Sequence, residues 1–398
     1  MGILQKAVKI LFICVHLIFL SGCWDRTEVN DLALIIGLGI DQTKDGKIMI
    51  TAELAVPKAV GGGGQTMGDG GGGGGGETIV SSGTGATVAD AISNLQEKLS
   101  RRVFWGHTKA IVFGEKAAKA GIRQHLDFLS RNPQVRLRSN VLVSKGTAKS
   151  VLELLPPIEQ SSAEVMRELS ESELLLRVTI RDALQMLSSD AGAAALPMVK
   201  ILPPEKGKKD LETVAFIQRT AIFKKDKMIG DIDDKLTRGV LWLRNEIKQA
   251  NITITLKGEK GNITATMIRA HTEFIPKYEK GKWKMIVKAT SEDDIILNGT
   301  KLNLINPKYT KMIEKELENE INKRIRDALK KVQKEMKADI FGFAEIFHRK
   351  YPREWNKVKN RWEEIFPTVE VVVQTKSYVR RPGVNTAPQG LPEDEVKQ

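Results

Sequence analysis

The chain has 398 residues, enough for two or three domains with cores of their own. Apolar residues make up 41% and charged residues 28%, the balance of a soluble globular body rather than of a disordered chain. Lysine and arginine exceed aspartate and glutamate by 13, which favours an anionic partner, either nucleic acid or a membrane or cell-wall surface.

The first element reads as an export signal. Lys6 and Lys9 form a basic head, and residues 10–20 are almost entirely apolar, broken only by His16. That run is short for a membrane span. It ends Leu20-Ser21-Gly22-Cys23, which resembles a bacterial lipobox. In that chemistry the Cys23 thiol is alkylated by a diacylglycerol and the peptide is cut before Cys23. The new amino group is then acylated, with palmitate as the expected chain. The small residues at Ser21 and Gly22 are a steric requirement, and the thiol is the nucleophile. The alternative is a transmembrane anchor that ends in a cysteine. On the lipoprotein reading Cys14 is discarded with the signal, residues 1–22, and the mature chain forms no internal disulfide. Losing Lys6 and Lys9 lowers the basic excess from 13 to 11. A basic body tethered beside anionic phospholipid heads is electrostatically consistent, and nucleic acid is not an expected partner.

After the lipobox, residues 32–40 and 47–56 are strand-like and flank Asp45-Gly46, so a β-hairpin is expected, with Ile35, Ile36 and Leu38 buried on both faces. Glycine runs at 61–64 and 70–76 lack the Lys-Ser/Thr pair of a phosphate-cradling loop and predict a disordered insertion. A strand is expected at 78–80, and Thr87 to Asp90 starts a helix with Ala91, Leu95 and Leu99 on one face. A strand at 110–113, one helix over 115–129 and a strand over 135–143 follow. A crossing connection at 154–176 then leads to a helix started by Thr179 to Asp182.

Two strands around the lysine-rich turn 224–227 come next, then a short helix carrying Leu236, Val240 and Leu243. Alternating segments at 252–256, 263–268, 272–275 and 283–287 predict an antiparallel sheet. Residues 308–338 form a long helix with Ile313, Leu317, Ile321, Ile325, Leu329, Val332 and Met336 on one stripe. A free coiled coil and packing on its own sheet are both open, and the strand run at 369–379 favours the second. The expected organisation is α+β and multi-domain, with mixed or antiparallel sheets each flanked by helices. Its parts are an N-terminal α+β domain at 23–204 containing the loop 61–76, a mainly β middle region at 205–305, a long helix plus strand at 306–382, and a disordered tail at 383–398.

No catalytic constellation emerges. His107, His125, His271 and His348 share no metal-binding spacing, and Glu345 with His348 supplies only half of a di-iron carboxylate motif. HExxH and GxSxG are absent. No enzyme, metal or cofactor is expected. Facing carboxylates in a groove would instead point to a wall hydrolase.

Several segments together resemble the C-subunit lipoproteins of spore germinant receptors. They are GCWDRTEVNDLALIIGLGIDQ (22–42), the glycine-rich loop, RRVFWGHTKAIVFGEKAAKAGI (101–122), TAIFKKDKMIGDI, RGVLWL, and KADIFGFAEIFHRKYPREW running on to VRRPG. The resemblance implies several α/β domains and a non-enzymatic subunit of a membrane complex that senses nutrients and triggers germination of endospores. It implies lipid attachment at Cys23, integral-membrane A- and B-type receptor subunits as partners, and a place on the outer face of the spore inner membrane. Trp24, Asp25, Asn30, Asp31, Trp105 and His107 match signature positions without an assigned role. An exported solute-binding lipoprotein with its own cleft is the alternative.

Overall fold

In the computed structural model, the described residues are 31–56 and 78–383, with a few isolated positions before them and parts of the tail, 387–388 and 391–397. The first sheet is built on β1 (Leu32–Gln42). It turns back into antiparallel β2 (Ile48–Ala55), and β3 (Thr78–Gly85) extends that edge. The turn needs a left-handed residue, and Gly46 supplies it at φ 82°. On its other edge β1 pairs in parallel with β4 (Arg102–Phe104) and then β5 (Ala110–Gly114). Parallel β6 (Asn140–Ser144) and β7 (Ala193–Ile201) follow, and antiparallel β8 (Ala215–Lys224) and β9 (Lys227–Ile232) close the nine-stranded sheet.

Helices cover both faces, which is why β1 is apolar on both sides. On one face α4 (Ala148–Leu152) and α5 (Ser162–Glu171) pack on Ile36, Val112 and Leu142. On the other, α1 (Val88–Gln96), α2 (Glu115–Ala120), α3 (Arg123–Arg131) and α6 (Ile180–Ser188) cover Ile35, Leu38, Ile40 and Phe113. Thr87 caps α1, and Thr179 and Asp182 form a capping box on α6.

A second sheet holds β10 (Asn251–Ile254), β11 (Ile263–Glu279), β12 (Lys282–Asn298) and β13 (Glu370–Arg381) in that order. Between the sheets, α7 (Asp234–Leu243) crosses α8 (Pro307–Leu329). The stripe Ile313, Leu317, Ile321, Ile325 and Leu329 is buried, and α8 packs on β13, its own sheet. The helix then widens into a π-helical turn (Lys330–Met336). There the buried Gln333 amide donates to the carbonyls of Phe366 and Val369 at 2.9 Å each. Short helices α9 (Phe343–Lys350), α10 (Pro352–Asn356) and α11 (Trp362–Ile365) gather an aromatic cluster. Its ring centroids lie 5.0 Å apart for Trp355 and Trp362 and 4.9 Å apart for Trp283 and Phe347. One apolar core runs from β1 through α7 into this cluster.

The mixed α+β architecture with two helix-flanked sheets agrees with the expectation, and several elements differ. The helix expected over 115–129 is broken at Gly121, whose φ of 134° no helix accepts. The strand expected over 135–143 exists only as β6, because 132–139 loops over Trp105. The connection 154–176 contains α5. The segments 263–268 and 272–275 are one continuous strand, β11, with bulges. The second sheet is mixed, since β13 lies parallel to β12. The first sheet runs through residue 204, where a division was expected, because β8 and β9 pair onto β7. In the tail, expected to be disordered, Lys397 bridges Leu302 and its ammonium meets Glu259 at 2.8 Å.

Candidate functional site

Three places in the fold concentrate polar chemistry. The first is the run Gly37-Leu38-Gly39-Ile40-Asp41 of β1. A Cβ on Gly37 would lie 2.8 Å from a Glu53 oxygen, and one on Gly39 would lie 3.1 Å from the Ala148 and Leu152 side chains. The two glycines therefore let α4 and α5 sit directly on the strand. Asp41 then accepts from the backbone N–H groups of Ala148 (2.8 Å) and Lys149 (2.9 Å), which open α4. Glu53 on β2 accepts in the same way from Ser162 (3.0 Å) and Ala163 (2.9 Å) at the start of α5. Both carboxylates answer the unpaired N–H groups and positive end of a helix. Burial nevertheless outweighs those bonds: it raises the Asp41 carboxyl above its usual range and lifts Glu53 from 4.5 to about 7. This motif is a helix dock.

The second place is a cleft of 520 Å³ between α6, Arg244, Phe274 and the segment 339–349. Several of its polar groups are already bonded. Arg244 donates to the Ile340 carbonyl at 3.0 Å and pairs with Glu246 at 2.7 Å. Glu345 accepts from the Ala191 N–H at 3.1 Å, and His348 meets Asp190 at 2.5 Å. Glu345 and His348, the half motif of the sequence, thus join the 339–349 segment to the 189–191 loop. Asp339 accepts from the N–H groups of Phe343 (3.1 Å) and Ala344 (2.8 Å) and from the Trp362 indole (2.9 Å). Burial raises it from 3.8 to about 6.

The third place holds the signature positions that the structure describes. Trp105 is buried, its N–H bonded to the Gln134 side chain at 3.3 Å and its carbonyl to Thr108. His107 is exposed, 5.8 Å from the Phe104 ring, and opens into a groove of 420 Å³ lined by Lys109, Arg136, Arg138, Arg167 and Arg177. Asp31 is exposed just before β1, its N–H bonded to the Glu28 carbonyl at 3.0 Å. Trp105 is a packing residue, and His107 lines a cavity. Cys23, Trp24, Asp25, Asn30 and the loop 61–76 lie outside the described residues. The arginines of the groove were missed in the sequence because they come from segments about 30 and 70 residues away, with no periodicity to link them.

Among the described residues no group of three or more His, Cys, Asp or Glu is placed to hold a metal ion, and no helix is long and apolar enough to cross a membrane. The fold is that of a two-sheet α+β protein of the kind seen in the crystal structure of the GerBC protein. That structure superposes with a TM-score of 0.55 at 22% identity, covering 87% of this chain and 97% of the other. Residues 25–201 match the family model described as the spore germination protein N-terminal domain, and residues 218–383 match the one described as spore germination B3/GerAC-like, C-terminal. The putative spore germination protein YfkR of Bacillus subtilis is 31% identical, over 96% of this chain and 97% of its own. Spore germination protein KC of the same organism is 29% identical, over 96% and 98%. The chain belongs to the GerAC-like family of spore germination proteins.

Proposed function

We propose that this protein is the lipid-anchored subunit of a nutrient germinant receptor. It acts without catalysis, through protein–protein contact with integral-membrane A- and B-type subunits at the outer face of the spore inner membrane. The observation that carries the reading is the match to both family models, over residues 25–201 and 218–383, joined in the sequence to Leu20-Ser21-Gly22-Cys23. The diacylglycerol on Cys23 is the anchor, and the acyl chains bury many methylene groups in the bilayer. The alternative of a solute-binding lipoprotein needs a cleft with convergent free polar groups. In the cleft between the sheets, Arg244, Glu345 and His348 are taken up by bonds to Ile340, Ala191 and Asp190, which favours the subunit reading there.

The test is made in spores carrying Cys23→Ala beside wild type and a deletion. Nutrient-triggered germination is followed together with membrane levels of the other receptor subunits. Loss of response to one nutrient class with falling partner levels is the expected result. Normal germination and normal partner levels in the deletion would overturn the subunit reading.

A further inference from the structure

The strand register gathers one end of the first sheet from distant segments. Leu32, the first residue of β1, lies beside Arg102 of β4, and the start of β5 at Ala110 lies beside the start of β6 at Asn140. The loops that feed these strands are tied together there. The Ser139 hydroxyl donates to the Thr108 carbonyl at 2.7 Å, and the Asn140 N–H donates to the Lys109 carbonyl at 3.0 Å. The Arg181 N–H holds the Leu137 carbonyl at 3.1 Å.

The charges of this end divide into two groups. Lys109 meets Glu164 at 2.6 Å, Arg167 pairs with Glu164, Glu168 and Glu171, and Arg177 lies 3.9 Å from Glu171. Arg101, Arg102, Arg136 and Arg138 are exposed, and none of them has a carboxylate within 4.0 Å among the described residues. Glu171 lines the same groove as Arg136 and Arg138 but pairs with Arg167, and Asp31, itself exposed, precedes Leu32, the strand partner of Arg102. Between two of these arginines stands Leu137, 43% exposed and held out on a loop whose backbone is fixed. A leucine flanked by two unpaired arginines has the chemistry of an interfacial contact: the apolar tip enters the headgroup boundary while the guanidinium groups stay among the phosphates.

We propose that this end of the first sheet is a docking surface for anionic phospholipid headgroups, with Arg136, Arg138, Arg101 and Arg102 on the phosphates and Leu137 at the apolar boundary. The proposal rests on the lipid anchor at Cys23. Eight residues lie between Cys23 and Leu32, a reach of at most about 30 Å when fully extended. That tether starts at the basic end, so the domain is oriented with this end down. A second membrane-facing cue is that β2 ends at Ala55, opposite Leu34, so the chain of the glycine-rich insertion also leaves and returns at this end.

The experiment uses the acylated full-length protein, its Cys23 blocked by lipid, carrying an environment-sensitive fluorophore at Leu137→Cys. A control carries it at Lys288→Cys on the second sheet. Each is reconstituted in vesicles of phosphatidylcholine alone or with phosphatidylglycerol, and quenching by brominated lipid is read. The expected result is a blue-shifted, quenched label at position 137 only, only on phosphatidylglycerol vesicles, and weakened by salt. Each surface arginine contributes about 1 kcal/mol, roughly fivefold, so R136Q/R138Q lowers the docked-to-undocked ratio about 30-fold. A water-exposed label at 137 on acylated protein overturns the docking surface and leaves the anchor intact. Equal quenching on neutral vesicles also overturns it. So does protection of position 137 by another receptor subunit without lipid quenching, which would make the patch a protein interface. Absence of an acyl group on Cys23 by mass spectrometry overturns the anchor instead, and the quenching assay on the same chain still decides the surface.

Discussion

Buried carboxylates hold helices in both halves of the molecule, but they reach them over very different distances in the chain. In the first sheet, Asp41 and Glu53 cap helices that begin 107 and 109 residues later. Beside the second sheet, Asp339 caps a helix that begins four residues later, and also takes the Trp362 indole. The first kind of cap joins a strand to a helix across a layer, so it defines the tertiary arrangement. The second folds a local turn and fastens an aromatic cluster to it. In both, a buried carboxylate replaces solvent for backbone donors that would otherwise be orphaned.

Removing the caps probes that difference most strongly. Asp339→Ala leaves three buried donors without an acceptor and is expected to cost about 4 kcal/mol, and Glu53→Ala about 3 kcal/mol, in denaturant unfolding. Their signatures should separate. Asp339→Ala changes the near-ultraviolet signal of Trp355 and Trp362, whereas Glu53→Ala leaves that signal native and speeds hydrogen exchange in α4 and α5. Loss of the tryptophan signal in both would erase the distinction between local and cross-layer caps.

The pH dependence of stability is the next largest effect. A carboxyl whose pKa is higher folded than unfolded binds its proton more tightly in the native state. Its contribution is therefore full below the unfolded value and is lost as pH rises through the folded one. For Glu53 that window runs from 4.5 to about 7, and for Asp339 from 3.8 to about 6. Each contributes a decline of about 3 kcal/mol across its window. Urea unfolding between pH 4 and 7.5 should show stability falling with rising pH. Glu53→Gln should remove the upper part of the slope and Asp339→Asn the lower. A flat profile in wild type would show that folding leaves these carboxyl pKa values unshifted.

Smaller effects test the packing between the halves. A Cβ on Gly239 of α7 would lie 2.3 Å from the Arg324 carbonyl of α8. Gly239→Ala is thus expected to cost about 2 kcal/mol, although alanine is the better helix former. An increase in melting temperature would mean that the two helices can separate freely. On the half-buried flank of α8, Arg324 meets Glu320 at 3.1 Å, and Glu320→Gln should cost only about 0.4 kcal/mol, weakened by high salt.

Local patterns carried much of this fold into the sequence. Asp45-Gly46 announced its hairpin, Thr179 with Asp182 its capping box, and the stripe from Ile313 to Leu329 its helix, because each depends on residues a few positions apart. The resemblance of whole segments, such as RGVLWL and KADIFGFAEIFHRKYPREW, identified the family. Tertiary structure alone decided that Gly37 and Gly39 clear space for α4 and α5, and that Asp41 belongs to Ala148. It also decided that β13 runs parallel to β12, and that Arg102, Arg136 and Arg138 share one end of a sheet. The reason is the same for each: a helix or turn is specified by neighbours in the chain, whereas a cap across layers, a strand's direction or a patch of charge is set by backbone partners a hundred residues away, which leave no period to read.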